Sequence, residues 1–246
     1  MAKTVLRNQK IFVGGIALSD RANAIALDYR CEPKDSTSFD DAEGGFRARL
    51  PGVRDATVGA DGFVEIDAKD AALFAGVGGS AVPFSFPLNG ETVGAAAYFF
   101  DAIHTELNLE LQHGELFRFK LSGEGAGDLV RGKILKTSSA AVSAGGNGAA
   151  VHVAPTDNGE RLFAALHVVS ASGTLPTLDV NIQSDGASDM ASPTDRLTFS
   201  QKTGAGSQLL AASPNSADEY YRVSYTVGGT GASFAFFVAV GVLPSI

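Results

Sequence analysis

Four histidines (His104, His113, His152 and His167), one cysteine (Cys31) and the aspartates Asp185, Asp189 and Asp195 are the residues with which this chain could do chemistry. The histidines do not stand at metal-ligand spacing from the cysteine or from one another, and zinc needs three or four such ligands. They read as hydrogen-bonded or exposed sheet residues. Asp101 and His104 have the residue types of an acid–base pair. No serine or cysteine sits in a G-x-S-x-G context, however, so a hydrolytic triad has no nucleophile to anchor it. Gly123–Gly127 lacks the G-x-G-x-x-G spacing between a strand and a helix that a dinucleotide loop requires, and reads as a turn. The run SDGASDMASPTD lacks the alternating ligands of an EF-hand loop and reads as a solvated turn. Cys31 falls within a strand pattern and reads as a small buried hydrophobe. No catalytic residue, cofactor or metal is expected, so the chain reads as something other than an enzyme.

Composition narrows the class. The chain has 246 residues, 45% of them hydrophobic, with no Trp and with Phe outnumbering Tyr 16 to 5. That excludes a disordered chain and leaves room for one large domain or two ordinary ones. The net charge of −8 argues against nucleic-acid binding, which needs basic surface to neutralise phosphate. One cysteine excludes an intrachain disulfide and fits a reducing compartment. The first ten residues are basic but carry no long apolar segment, so no secretory signal is expected. The apolar run Gly228–Ile246 is interrupted by Gly, Thr, Ser and Pro244 and reads as core strand, not membrane span.

Charge is also unevenly spread. Residues 1–139 carry 15 Lys+Arg and 19 Asp+Glu, whereas residues 140–246 carry 4 and 8. With the small, aperiodic run Thr137–Asn147, this predicts a domain over residues 1–139, a linker at about 140–147 and a second domain over 148–246.

The elements follow from periodicity. Ile25, Leu27, Tyr29 and Cys31 alternate with polar residues, a half-buried strand that Pro33 should stop. Val58, Ala60, Gly62, Val64 and Ile66 form another such face. Asp67 is an N-cap for a short helix Ala68–Gly76, with Leu73 and Phe74 as its buried contacts. Val82–Leu88, punctuated by Pro83 and Pro87, reads as an edge strand. Ala95–Leu135 reads as strands turning at Gly123–Gly127. Beyond residue 148, seven short strands separated by Gly/Ser/Asn/Pro turns predict an all-β sandwich. They end in a hairpin of Tyr221–Val227 and Phe234–Val240 around Gly228–Gly231.

One stretch fits no core strand. Lys34–Pro51 is too polar and too long for a hairpin turn, and loops of that size are usually functional. Its acidic cluster Asp40, Asp41 and Glu43 precedes Arg47, Arg49 and Arg54. It reads either as a solvated loop or as an arm that pairs acid to base with a neighbouring copy. With Phe39 and Phe46, these residues form a candidate assembly interface.

The order of these segments resembles the tail tube (major tail) proteins of long-tailed bacteriophages. The residues that carry the likeness are DYRCEPKDSTSFDD, FRARLPG, GVRDATVGADGFVE, AAYFFDAI and HGELFRFKLSGEGAGDLVRGKIL. The segments RLFAALHVVSASGTLPTLDVNIQSD, ASPTDRLTFSQ and YYRVSYTVGGTGASFAFFVAVGV look like the C-terminal β-domain appended to some members. The resemblance implies a mainly β fold: a β-sandwich tail-tube domain with one short flanking helix and a long arm, plus a C-terminal all-β sandwich. It further implies subunits made in the host cytoplasm that join through sheet edges into rings, usually six-fold. Rings stack into a virion tail through which DNA passes without specific binding, and the other tail proteins (tape measure, terminator, distal tail) are the implied partners. The C-terminal domain would then sit outside the tube. The alternative reading is a carbohydrate-binding or adhesin-like surface module that takes host-surface glycans through residues 148–246, which the absence of Trp weakens.

Overall fold

The computed structural model describes residues 9–37, 47–156 and 159–244. The chain is mainly β, with a single helix among the described residues. In the first half the elements are β1 (Phe12–Val13), β2 (Ile16–Ala17), β3 (Ala22–Asp35), β4 (Arg49–Phe63), α1 (Ala68–Gly76), β5 (Val82–Pro87), β6 (Ala96–Glu110), β7 (Arg118–Gly125) and β8 (Val130–Lys136). The second half adds β9 (Gly146–Asn147), β10 (Val151–His152), β11 (Glu160–Asp185), β12 (Thr194–Thr198), β13 (Gly206–Ala212) and β14 (Tyr220–Pro244). The strand pairs are antiparallel.

The first half is a sandwich whose two layers share β6. Residues Ala96–Ala102 of that strand pair with β5 and β8, while Ala102–Glu110 pair with β7 through a ladder that is irregular at His104/Glu106. A bulge of this kind bends a strand and lets it pass from one layer to the other. Strands β7, β4 and β3 complete the second layer. Between the layers lie Val58, Ala60, Phe84, Phe86, Phe100, Phe119 and Leu121. Helix α1 closes one side with Leu73, while Phe74, expected to be buried, is 72% exposed. Asp67 caps the helix as the sequence implies, its carboxylate accepting from Lys69 N and Asp70 N. Strand β5 is not an edge: β1 and β6 flank it. Its prolines are tolerated because β1 pairs only with Phe84 and Ser85, so neither proline owes β1 a donor. Gly123–Gly125 is likewise strand and not turn. A Cβ on Gly125 would stand 2.7 Å from Ala56 O, so the glycine is there for close packing.

The second half departs furthest from its pattern. No hairpin forms at Gly228–Gly231. Instead β14 runs straight through from Tyr220 to Pro244 and pairs with β11 along nearly its whole length, from Glu160↔Pro244 to Asp185↔Tyr220. The ladder is irregular between Ser172 and Thr177, opposite Gly228–Ser233, and there the two-stranded ribbon folds over on itself. Leu162, Leu166, Phe236 and Val238 from one limb then meet Val180, Ile182, Tyr221 and Val223 from the other in a single core. Gly173 and Gly229 have φ of 107° and 102° at this corner, a conformation other residues rarely adopt. The glycines thus mark a sheet corner.

The two halves are joined by hydrogen bonds and by a third core. Strand β8 pairs with β14 at Val238–Val240 as well as with β6, so one sheet runs through both. Phe163, Ala165, Phe237 and Ala239, on the opposite face of β11 and β14 from their own sandwich core, pack with Phe12, Phe99, Val130 and Ile134. Burial on both faces explains why Leu162–Leu166 and Phe236–Val240 read as unbroken apolar runs. His167 sits at the seam, fully buried. It lies 2.8 Å from Ser85 Oγ through Nε2, accepts from Gly15 N at 3.4 Å through Nδ1, and meets the rings of Phe12 and Phe237. Burial pushes its pKa down to about 3, so the ring is neutral.

Candidate assembly surface

Strands β3 and β4 outrun the sheet that holds them. β7 pairs with β4 only from Thr57 onward, whereas the β3–β4 ladder continues to Asp35↔Arg49. Residues 28–35 and 49–56 therefore form a two-stranded ribbon about 25 Å long at ~3.4 Å per residue. Pro33 does not stop β3. It stands opposite Pro51 beside a bulge at Cys31/Pro33, and a ribbon with free outer edges owes neither proline a partner. Lys34–Asp35 and Arg49–Pro51, expected in a loop, are strand. The pairing persists past them: Ser36 N donates to Ala48 O at 3.0 Å, and Ala48 N donates to Thr37 Oγ1 at 3.0 Å.

Nearly every ribbon side chain faces solvent. Among large apolar ones, Tyr29 is 50% exposed, Leu50 59% and Val53 72%. Cys31, expected in the core, is exposed, its Sγ 3.4 Å from Gly52 O. Its alternation with Leu27 and Tyr29 is real. The face it belongs to simply has no second layer over it once β3 passes the sandwich.

The charges of the ribbon are largely matched within it. Arg30 pairs with Asp28 at 3.1 Å, Lys34 with Glu32 at 2.6 Å and Arg47 with Asp35 at 3.6 Å. Arg49 stands across from Asp35, and Arg54 across from Cys31. Hydrogen bonds from Thr37, side chain first and then backbone, hold the Asp35 carboxyl below its usual range, with Arg49 assisting. These are exposed pairs and each contributes little to stability. Arg54 also borders a polar hollow of about 410 Å³ at the foot of the ribbon, shared with Tyr29 and Gly125–Leu129. Of the candidate interface residues, Arg47, Arg49 and Arg54 are thus together on one ribbon. Phe39, Asp40, Asp41, Glu43 and Phe46 lie outside the described residues. Tyr29, Leu50 and Val53 belong with the candidates, but an apolar alternation alone does not tell a core face from an uncovered one.

Elsewhere polar groups serve the fold. Arg21, 5% exposed, holds the entry to α1: Nη1 donates to Glu65 O at 3.1 Å and Asp67 Oδ1 at 3.0 Å, while Nη2 donates to Glu65 Oε2 and Asp67 Oδ2. The guanidinium holds the Asp67 carboxyl down at about 2. Asp185 accepts from Ala187 N and Ser192 N, Asp189 from Ala191 N, and Asp195 from Asn181 and Gln183. The histidines are scattered: His152 lies 3.4 Å from Glu219, and His104 Nε2 lies 3.1 Å from Glu106 O. No group of three potential metal ligands occurs among the described residues. No described helix is long and apolar enough to cross a membrane.

No protein-family model matches the chain. No curated protein matches it either. Among solved structures it is similar to a chain of the virion of a native gene transfer agent particle (22% identity, 44% of this chain, 82% of that one, TM-score 0.38). A chain from the tail of an empty gene transfer agent particle with C6 symmetry gives 21% identity over 44% of this chain and 80% of that one, TM-score 0.38. The Dit protein of phage SPP1, a hub of the adsorption apparatus of phages infecting Gram-positive hosts, gives 11% identity over 96% of this chain and 100% of that one, TM-score 0.38. These neighbours are proteins of virions and phage tails. Likeness at this level leaves the functional argument to the chain's own geometry.

Proposed function

We propose that this chain is a structural tail-tube subunit that self-associates into stacked rings, with β3–β4 as its reaching arm. The observation that carries the reading is the uncovered ribbon of residues 28–35 and 49–56. A lone two-stranded ribbon is marginal in water, and its open edges are sites for pairing with another chain. This one adds exposed Tyr29, Leu50 and Val53, the apolar anchors an interface uses. Its sequence is polar enough to stay soluble before assembly, since its ion pairs are internal.

Residues 1–139 supply the ring body in this reading, and residues 148–246 lie outside it, held in fixed orientation by the β8–β14 pairing. Heterologous contacts that close on themselves give a ring. The net charge of −8 suits a conduit wall, because like charge keeps phosphate from adhering.

The test is assembly. Negative-stain microscopy and sedimentation of the concentrated full chain should reveal rings or tubes, and replacing residues 30–54 by a short Gly/Asn turn should leave folded monomers. A wild-type chain that stays monomeric at every concentration, or tubes that form without the ribbon, would overturn the proposal.

A further inference from the structure

Helix α1, the β1–β2 turn and residues 205–206 leave between them a cavity of about 420 Å³, within the range of small-ligand sites. Its lining is uncharged. Val13, Ile16, Leu73 and Val82 contribute apolar side chains, and glycine backbone supplies much of the rest. The backbone donors nearby are committed: Gly14 N to Pro83 O, Gly15 N to His167 Nδ1, Gly78 N to His104 O and Gly79 N to Gly76 O.

Two polar side chains stand in this wall, Ser80, which is exposed to solvent, and His104. His104 is 3% exposed, and its Nε2 lies 3.1 Å from Glu106 O. A carbonyl only accepts, so Nε2 carries the proton and Nδ1 presents a bare lone pair. No described group donates to Nδ1. It faces Gly76, where a Cβ would stand 3.4 Å away. Burial pushes the pKa of His104 down, which keeps the ring a neutral acceptor. Nδ1 is not sealed from solvent, so a ligand that fills the cavity strips it of water and leaves it unpaired unless the ligand brings a donor.

We propose that this cavity is a binding site for a small neutral molecule of one to two rings, with an apolar body and a single O–H or N–H donor aimed at His104 Nδ1. An ionised ligand is excluded because the lining offers no countercharge for its desolvation. A ligand without the donor fills the volume and leaves Nδ1 unpaired.

Phenol, toluene and benzoate, titrated against the full chain, separate these cases. Binding is read from melting temperature and from the imidazole ¹⁵N resonances of His104. Phenol should bind saturably and move the Nδ1 resonance. Toluene should bind about tenfold or more weakly and leave Nδ1 in place, and benzoate should not bind. Gly76→Ala sets a methyl group in front of Nδ1 and favours the helix, so the chain stays folded. In that variant phenol should lose its advantage over toluene, as it should in His104→Phe. Equal affinity for phenol and toluene, an unchanged phenol affinity in Gly76→Ala, or no saturable binding would overturn the assignment.

Discussion

Acid should loosen this protein through one imidazole. His167 is ordinary in the unfolded chain, with a pKa near 6.5, and is pushed down to about 3 in the folded one by burial. Between those values the unfolded state binds one proton more than the folded state. The sign follows: the contribution to stability is fully present above 6.5 and is lost as pH falls toward 3. Each pH unit in the window is worth about 1.4 kcal/mol, so lowering pH from 7 to 5 should cost about 2 kcal/mol. For a chain of this size that is roughly 4 to 8 °C in melting temperature. His104, lowered by burial, adds to the slope, whereas Asp101, raised by burial, opposes it. The measurement is therefore a difference. Urea unfolding at pH 7 and pH 5 is compared between wild type and His167→Gln, which keeps hydrogen-bonding atoms but does not titrate. The variant starts less stable yet should lose about 2 kcal/mol less on acidification. Equal losses in the two proteins would refute the reasoning, because a buried neutral ring between Ser85 and Gly15 would then not be what the acid attacks.

Other outcomes are equally specific. Gly132→Ala brings a Cβ within 2.0 Å of Val240 O, so it should cost about 3 kcal/mol or more and lower the calorimetric transition of both halves together. Arg21→Met strips Glu65 and Asp67 of their buried donor and should cost about 2 to 3 kcal/mol, with loss of α1 protection in hydrogen exchange. Arg47→Glu with Arg49→Glu should change stability by less than about 0.5 kcal/mol while impairing assembly under the microscope; normal tubes from that variant would remove the arginines from the interface. The Cys31 thiol should react freely with Ellman's reagent in the monomer and become protected on assembly, and equal reactivity in both states would take the ribbon out of the contact.

Much of the fold was legible in the sequence, and the reasons for the misses are physical. Asp67 and the stretch to Gly76 gave the helix because capping is local. Val58 and Ala60 gave the face of β4 because that face is covered by a second layer. Cys31 and Tyr29 followed the same alternation without the cover, since periodicity records which side chains share a face and not what lies over it. Gly228–Gly231 looked like a hairpin turn because glycines serve corners and turns alike, and only the partner strand, about 60 residues away, distinguishes them. At the candidate surface the arginines could be named from sequence. The internal pairing of Arg30, Lys34 and Arg47 could not, because it depends on β3 continuing through Pro33.

The folded-over ladder of β11 and β14 bears on how the protein is made. Its residues meet across sequence separations that run from Asp185↔Tyr220 to Glu160↔Pro244, and β14 is also the strand that hydrogen-bonds β8. The element that locks the two halves together is thus synthesised after β1–β13. Pairing over such separations makes folding slow, and an interrupted chain lacks the strand on which both halves close. A chain cut before β14 has no finished body from which to extend its ribbon.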